Sequence, residues 1–211
     1  MSRYIDVIEP MRQASDQSIV AFCASCAEQA ASLYRGLGNA EFQERFEELL
    51  ELCWEAAGGR ADEDDCVEAL EELEVAPELD EDDSDRQEFY AGHSLALIAG
   101  TLAASMRPDP GKGELSGQTV ETVLSEFDWV LAGSVPRVVR AGDPLPEPGS
   151  LHTAALDAQR TVLEAIRDNG SGGTGDLDLT RLREVSRELA AEITRALPDV
   201  AAHRGWDVAE A

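Results

Sequence analysis

Apolar residues recur at spacings of three and four along most of this chain, and no stretch alternates convincingly with a period of two. The pattern predicts helices divided by proline and glycine clusters, with no strand. After a short N-terminal helix, a long one should begin near Ser15 or Asp16 and end at Gly36 or Gly38. Its stripe is Ile19, Phe22, Cys23, Cys26, Ala30, Leu33, Tyr34 and Leu37. Asn39 can cap the next helix, where Phe42, Phe46, Leu49, Leu50, Cys53, Trp54 and Ala57 recur before Gly58-Gly59. A shorter helix, about Glu63 to Glu74, carries Cys66, Val67, Leu70 and Leu73.

From about Gln87 to Met106 the pattern changes: Phe89, Tyr90 and the run Leu95 to Ala99 are apolar nearly all round, as in a helix at the centre of a bundle. Pro108-Asp109-Pro110 and Pro144-Leu145-Pro146-Glu147-Pro148 read as loops. Between them lies a helix with Val120, Val123, Leu124, Phe127 and Val130, interrupted at Gly133 to Pro136. Two last helices, near Leu151–Asp168 and Leu179–Leu197, flank Gly170-Ser171-Gly172-Gly173-Thr174-Gly175 and should pair as an antiparallel hairpin. The expected fold is all-α, a bundle of about seven to eight helices. Residues 1–150 form an acidic core, and residues 151–211 add a hairpin and tail packed on the same domain.

Composition sharpens this in two ways. Aromatics are only 5% of 211 residues, so a core of useful size must come from Leu, Val, Ile and Ala. The formal charge is −26, and it is regional. From Ala40 to Tyr90 there are 21 acidic residues against Arg45, Arg60 and Arg86, whereas the last hairpin sets six arginines against eight acids. Such a field repels nucleic acid and anionic membranes and attracts basic partners. Lys112 is the only lysine. Met1 to Asp6 carries no apolar signal core, and the most apolar stretch, Leu95 to Leu102, is short for a bilayer, so the cytoplasm is the expected compartment.

No constellation of catalytic residues emerges. Cys23-x-x-Cys26 with Cys53 and Cys66 supplies four thiols but only one close pair, where a structural zinc site usually shows two. All four lie on apolar stripes, which favours core packing. In Glu78-Leu79-Asp80-Glu81-Asp82-Asp83-Ser84-Asp85, a calcium loop counted from Asp80 would need Gly where Asp85 stands and Glu where Ala91 stands. Gly170-x-Gly172-x-x-Gly175 joins two helices, so it reads as a linker, not a dinucleotide site. His93, His152 and His203 lack the Glu-x-x-His spacing of di-iron bundles. No metal or other cofactor is expected.

Several segments resemble the YjaG-like family of bacterial all-helical proteins. They are Ala21-Phe22-Cys23-Ala24-Ser25-Cys26-Ala27-Glu28 with Tyr34, Leu49-Leu50-Glu51-Leu52-Cys53-Trp54-Glu55, Leu70-Glu71-Glu72-Leu73-Glu74-Val75-Ala76-Pro77, and the apolar helix after Phe89-Tyr90. Ser116-Gly117-Gln118-Thr119-Val120-Glu121 opens the following helix in a similar way. The resemblance runs from about Ser15 to Val130 and implies the helical fold without supplying a reaction. Gln29 stands where that family tends to have Arg, and Ser32-Leu33 where it has Pro-Asn.

The functional expectation is a non-catalytic interaction protein, of immunity or regulatory type, that binds a basic protein. Its candidate contact residues are Glu78, Asp80, Glu81, Asp82, Asp83 and Asp85. The alternative is a small-molecule or metal site, and possibly an enzyme, in the bundle interior near Cys23, Cys26, Tyr34, Trp54 and His93.

Overall fold

The computed structural model describes residues 8–133, 147–170 and 177–206. The readings made above for Met1 to Asp6, for the interruption at 134–136, for 144–146, for 171–175 and for the tail at 207–211 fall outside them. Among the described residues there are eight α-helices, two short 3-10 turns and no strand, as an all-α bundle requires. In order they are α1 Ile8–Gln13, α2 Asp16–Leu37, a 3-10 turn Ala40–Phe42, α3 Gln43–Ala57, α4 Glu63–Leu73, a second turn Pro77–Asp80, α5 Gln87–Met106, α6 Pro110–Leu131, α7 Ser150–Gly170 and α8 Leu179–Arg204.

The caps follow from side-chain chemistry. Ser15 Oγ accepts from Ser18 N at 3.2 Å to start α2, and Asn39 Oδ1 accepts from Glu41 N at 2.9 Å to start the first 3-10 turn. Asp62 Oδ1 starts α4 in the same way, accepting from Asp64 N at 2.9 Å. At the junction of α5 and α6 the proline reading needs correction. Pro110 does not lie in a loop: it occupies the first turn of α6, where a missing N–H costs nothing, and Asp109 caps it. α6 therefore starts six residues before Ser116, which lies inside it. Lys112 Nζ closes the same corner by donating to Ala103 O at 2.8 Å, which also accepts from Arg107 N, and to Arg107 O at 2.7 Å, just past the end of α5.

α5 is central as its apolarity indicated, packing against α2, α3, α4 and α6, but it shares the centre with a more enclosed helix. α2 packs against α3, α5, α6, α7 and α8, and every residue from Ser18 to Tyr34 is buried. α5 lies beside it but leaves Ala96 exposed. Ser25, Glu28, Gln29 and Ser32 interrupt the apolar run of α2, so its sequence reads as one-sided although its surroundings are not. By length and composition alone α5, at 20 residues, could cross a membrane; 56% of its most apolar window is buried against the other helices.

α8 differs from expectation at its end. It was expected to stop at Leu197, yet it runs through Pro198 to Arg204. An internal proline loses a hydrogen bond and costs about 3 kcal/mol. Beyond it, Val200 and Ala201 are buried, and Gly205 ends the helix in the left-handed region at φ 72°. α7 receives its cap from a distance: the Asp128 carboxylate of α6 accepts from Leu151 N at 3.1 Å and His152 N at 2.9 Å.

Candidate interaction surface

α4 and the segment behind it form an edge of the molecule. Among the described residues, α5 is the only helix that α4 packs against substantially, and Cys66, Ala69 and Leu73 are its buried positions. From Ala61 to Asp85 there are 14 acidic residues and no basic one. Of these, Asp62, Glu63, Asp64, Asp65, Glu68, Glu71 and Glu74 face solvent, and Glu72 is drawn back to α3 by Arg45 at 2.7 Å. Val67 and Val75 lie exposed within the same acidic edge, Val75 at 81% of its full surface. The start of α4 bears three acids, which its helix dipole favours, and no base follows at its end.

The segment Pro77 to Arg86 turns from α4 to α5 across the C-terminal end of α2. Gly92 allows this: a Cβ there would come within 2.9 Å of the Glu78 carbonyl carbon and closer still to its oxygen. Between the segment and α2 opens a cleft of about 420 Å³, lined by Leu37, Gly38, Asn39, Pro77, Glu78, Glu81, Arg86, Gln87 and Glu88. Three carboxylates face one guanidinium there, at the negative end of the α2 dipole.

The six candidate residues divide into two groups. Asp80, Asp82 and Asp83 are exposed and make no ion pair among the described residues; Asp83 Oδ1 accepts only from Asp85 N at 3.0 Å. Glu78, Glu81 and Asp85 have partners within the chain. Tyr34 Oη donates to Glu78 at 3.4 Å, and Arg86 pairs with Glu81 at 2.8 Å. Asp85 receives Arg204 Nη1 at 2.6 Å, while Arg204 Nη2 reaches Glu126 at 2.8 Å and Trp206 Nε1 donates to the Asp85 carbonyl at 2.8 Å. Burial, with Glu78 adding to it, holds the Tyr34 phenol protonated well above its ordinary range.

The residues of the interior alternative do not gather at one point. Tyr34 stacks on Phe46 with centroids 4.4 Å apart and faces the acidic segment. His93 lies against Phe89 and lines an apolar cavity of about 10 Å³, at the lower limit for one water. Burial lowers its pKa, so neutral imidazole is favoured. Burial pushes the Cys23 thiol up to about 11 and raises Cys26, Cys53 and Cys66 too, so all four are protonated at neutral pH. Among the described residues, no group of three His, Cys, Asp or Glu side chains is placed to hold a metal ion.

Sequence reasoning passed over the buried carboxylate of Glu28. It is fully enclosed and accepts from Trp54 Nε1 at 2.7 Å, Arg183 Nε at 3.0 Å and Arg187 Nε at 3.2 Å. Arg183 also pairs with Glu51 at 2.6 Å and lies over the Trp54 ring, 5.5 Å from its centroid. Three donors replace the water that an isolated carboxylate would lose on burial. The group therefore ties α2 and α3 to α8. The available signal was a single Glu in an Ala- and Cys-rich buried run.

No family model, curated protein or solved structure matches this chain.

Proposed function

We propose that this is a non-catalytic helical protein that binds a basic protein through the edge formed by α4 and residues 77–86. The observation that carries the reading is the run of 14 acids without a base between Ala61 and Asp85, most of them facing solvent on α4 and the segments that flank it. The cleft of about 420 Å³ beside Glu78, Glu81 and Glu88 has the volume to accept a partner's Lys or Arg side chain. The exposed Val67 and Val75 would add apolar contact. Long-range complementarity of this kind accelerates association and makes it salt-sensitive. The YjaG-like resemblance and a cytoplasmic setting belong to the same proposal and are compatible with it.

The test is capture of basic proteins from an extract of the protein's own cells, on immobilised wild type and on the triple variant Asp80→Lys, Asp82→Lys, Asp83→Lys. These three side chains form no ion pair among the described residues, so the fold should survive reversal. The wild type should retain a basic protein at low salt and release it as ionic strength rises, and the variant should retain at least tenfold less. Equal retention by both would overturn the reading.

A further inference from the structure

The solvent faces of this chain are mostly charged. α3 presents Glu44, Glu47, Glu48, Glu51 and Glu55 to water, and α8 presents Arg181, Glu184, Arg187 and Glu188. α6 departs from this. Its exposed line is Leu115, Gln118, Thr122 and Trp129, with Ser125 half-buried within it, and none of these side chains is charged. Leu115 keeps 66% of its surface in water and Trp129 36%. α5 extends the uncharged face. From Phe89 to Met106 it has no acid, lysine or arginine, and it leaves Ala96 exposed and Ala99, Gly100 and Ala103 half-buried. His93 of α5 and Thr119 of α6 line the same small cavity, so the two helices meet along this side. A Cβ on Gly100 would meet nothing within 4 Å, which leaves the face open there.

The α6 line has the spacing of a two-helix seam. Leu115, Gln118, Thr122, Ser125 and Trp129 alternate steps of three and four, which keeps them on one side of the helix. The line is also symmetric in bulk about Thr122. Leu115 and Trp129 stand at equal distances along the chain on either side of it, with the short side chains of Thr122 and Ser125 between them. Of the charged neighbours, Glu114 accepts from Gln118 Nε2 at 3.2 Å, and Glu126 pairs with Arg204 at 2.8 Å.

We infer that this face docks a second copy of the chain, with α6 packed antiparallel on α6 of the other copy. A two-fold axis passing Thr122 sets Leu115 of each copy against Trp129 of the other, so both large apolar side chains leave water together. The short Thr122 and Ser125 in the middle let the two backbones approach. Charge selects the occupant. A basic protein is drawn to the acidic edge, whereas this face offers it carboxylates only at the rim. A second copy bears the same −26 and is repelled wherever acids face acids, so an uncharged, self-complementary face is where two copies can meet. Two helices about 30 Å long and roughly 10 Å apart present about 600 Å² per copy, at the lower end for a specific interface, so the dimer is reversible.

Sedimentation equilibrium of the full chain tests this. The wild type should show a monomer–dimer equilibrium that tightens about tenfold between roughly 0.02 M and 0.5 M salt, because screening relieves repulsion between copies. That sign is opposite to the one expected for capture of a basic protein. Leu115→Glu, at an exposed position, should weaken the dimer about tenfold or more. Thr122→Cys should cross-link to itself under mild oxidation, whereas the wild type, whose four cysteines are buried, should not. A monomer at every salt concentration, up to roughly millimolar protein, would overturn the proposal and leave the face to a different, uncharged partner. So would a dimer that Leu115→Glu leaves unchanged, or one that Thr122→Cys fails to cross-link.

Discussion

Glu28 shows how much one side chain can hold together. A charge enclosed in a helical bundle survives only while its donors stay in place, and removing one partner of such a group typically costs about 3–5 kcal/mol. Arg187 remains largely exposed and Arg183 partly so, which lets both rehydrate when the carboxylate is lost. Glu28→Ala is therefore expected to cost about 3 kcal/mol in urea denaturation, with a smaller loss for Glu28→Gln, which can still accept from Trp54 and the arginines. A change below about 0.5 kcal/mol would mean that the arginines contribute nothing through this residue. None of this was legible locally, because Arg183 and Arg187 lie 155 and 159 positions away in the chain. The cysteines were easier: each sat on an apolar stripe, and each is buried.

At the level of elements, boundaries were legible wherever a local signal ends or starts a helix. Ser15 and Gly38 bracket α2, and α5 runs from Gln87 to Met106 as its apolar pattern indicated. Two boundaries were misread for opposite reasons. Pro110 was taken as a breaker although it sits in the one turn that tolerates proline. The expected end at Leu197 falls short because tertiary burial beyond Pro198 outweighs the local cost of that proline. The last turn of α8 matters to the acidic edge, since Arg204 joins Asp85 to Glu126 and lies 5.7 Å from the Trp206 ring centroid. Arg204→Ala should cost about 1–3 kcal/mol, the range for charge-assisted hydrogen bonds. It should also speed amide exchange across residues 84–90 and 201–206. Faster exchange at the C-terminal end alone would show that the segment before α5 is held independently by Tyr90, which donates to Ser84 O at 3.0 Å.

For the whole molecule, charge is the property that composition stated most directly and that structure distributes. Arginines at 35, 45, 86, 183 and 204 each draw acids together, but 43 acids face 17 bases, so self-repulsion remains the larger effect. Raising ionic strength from about 0.01 M to 0.15 M shortens the screening length from roughly 30 to 8 Å. Tm should therefore rise by several degrees over that range. A fall would mean that the arginine pairs outweigh the repulsion. The acidic edge could be read from residue counts alone. Which acids stay free within it could not, because Glu81 is paired by Arg86 nearby and Asp85 by Arg204 at the far end of the chain.

The corner where Lys112 reaches Ala103 and Arg107 also determines how this protein meets reagents and enzymes that seek primary amines. With one lysine in the sequence, lysine-directed transferases and side-chain acylation converge on a single position. Capping the charge of Lys112 would weaken its bonds to Ala103 O and Arg107 O and loosen the turn between α5 and α6. A label placed there would report on a weakened molecule, so attachment through carboxylates on the α4 edge would leave the bundle closer to its native state.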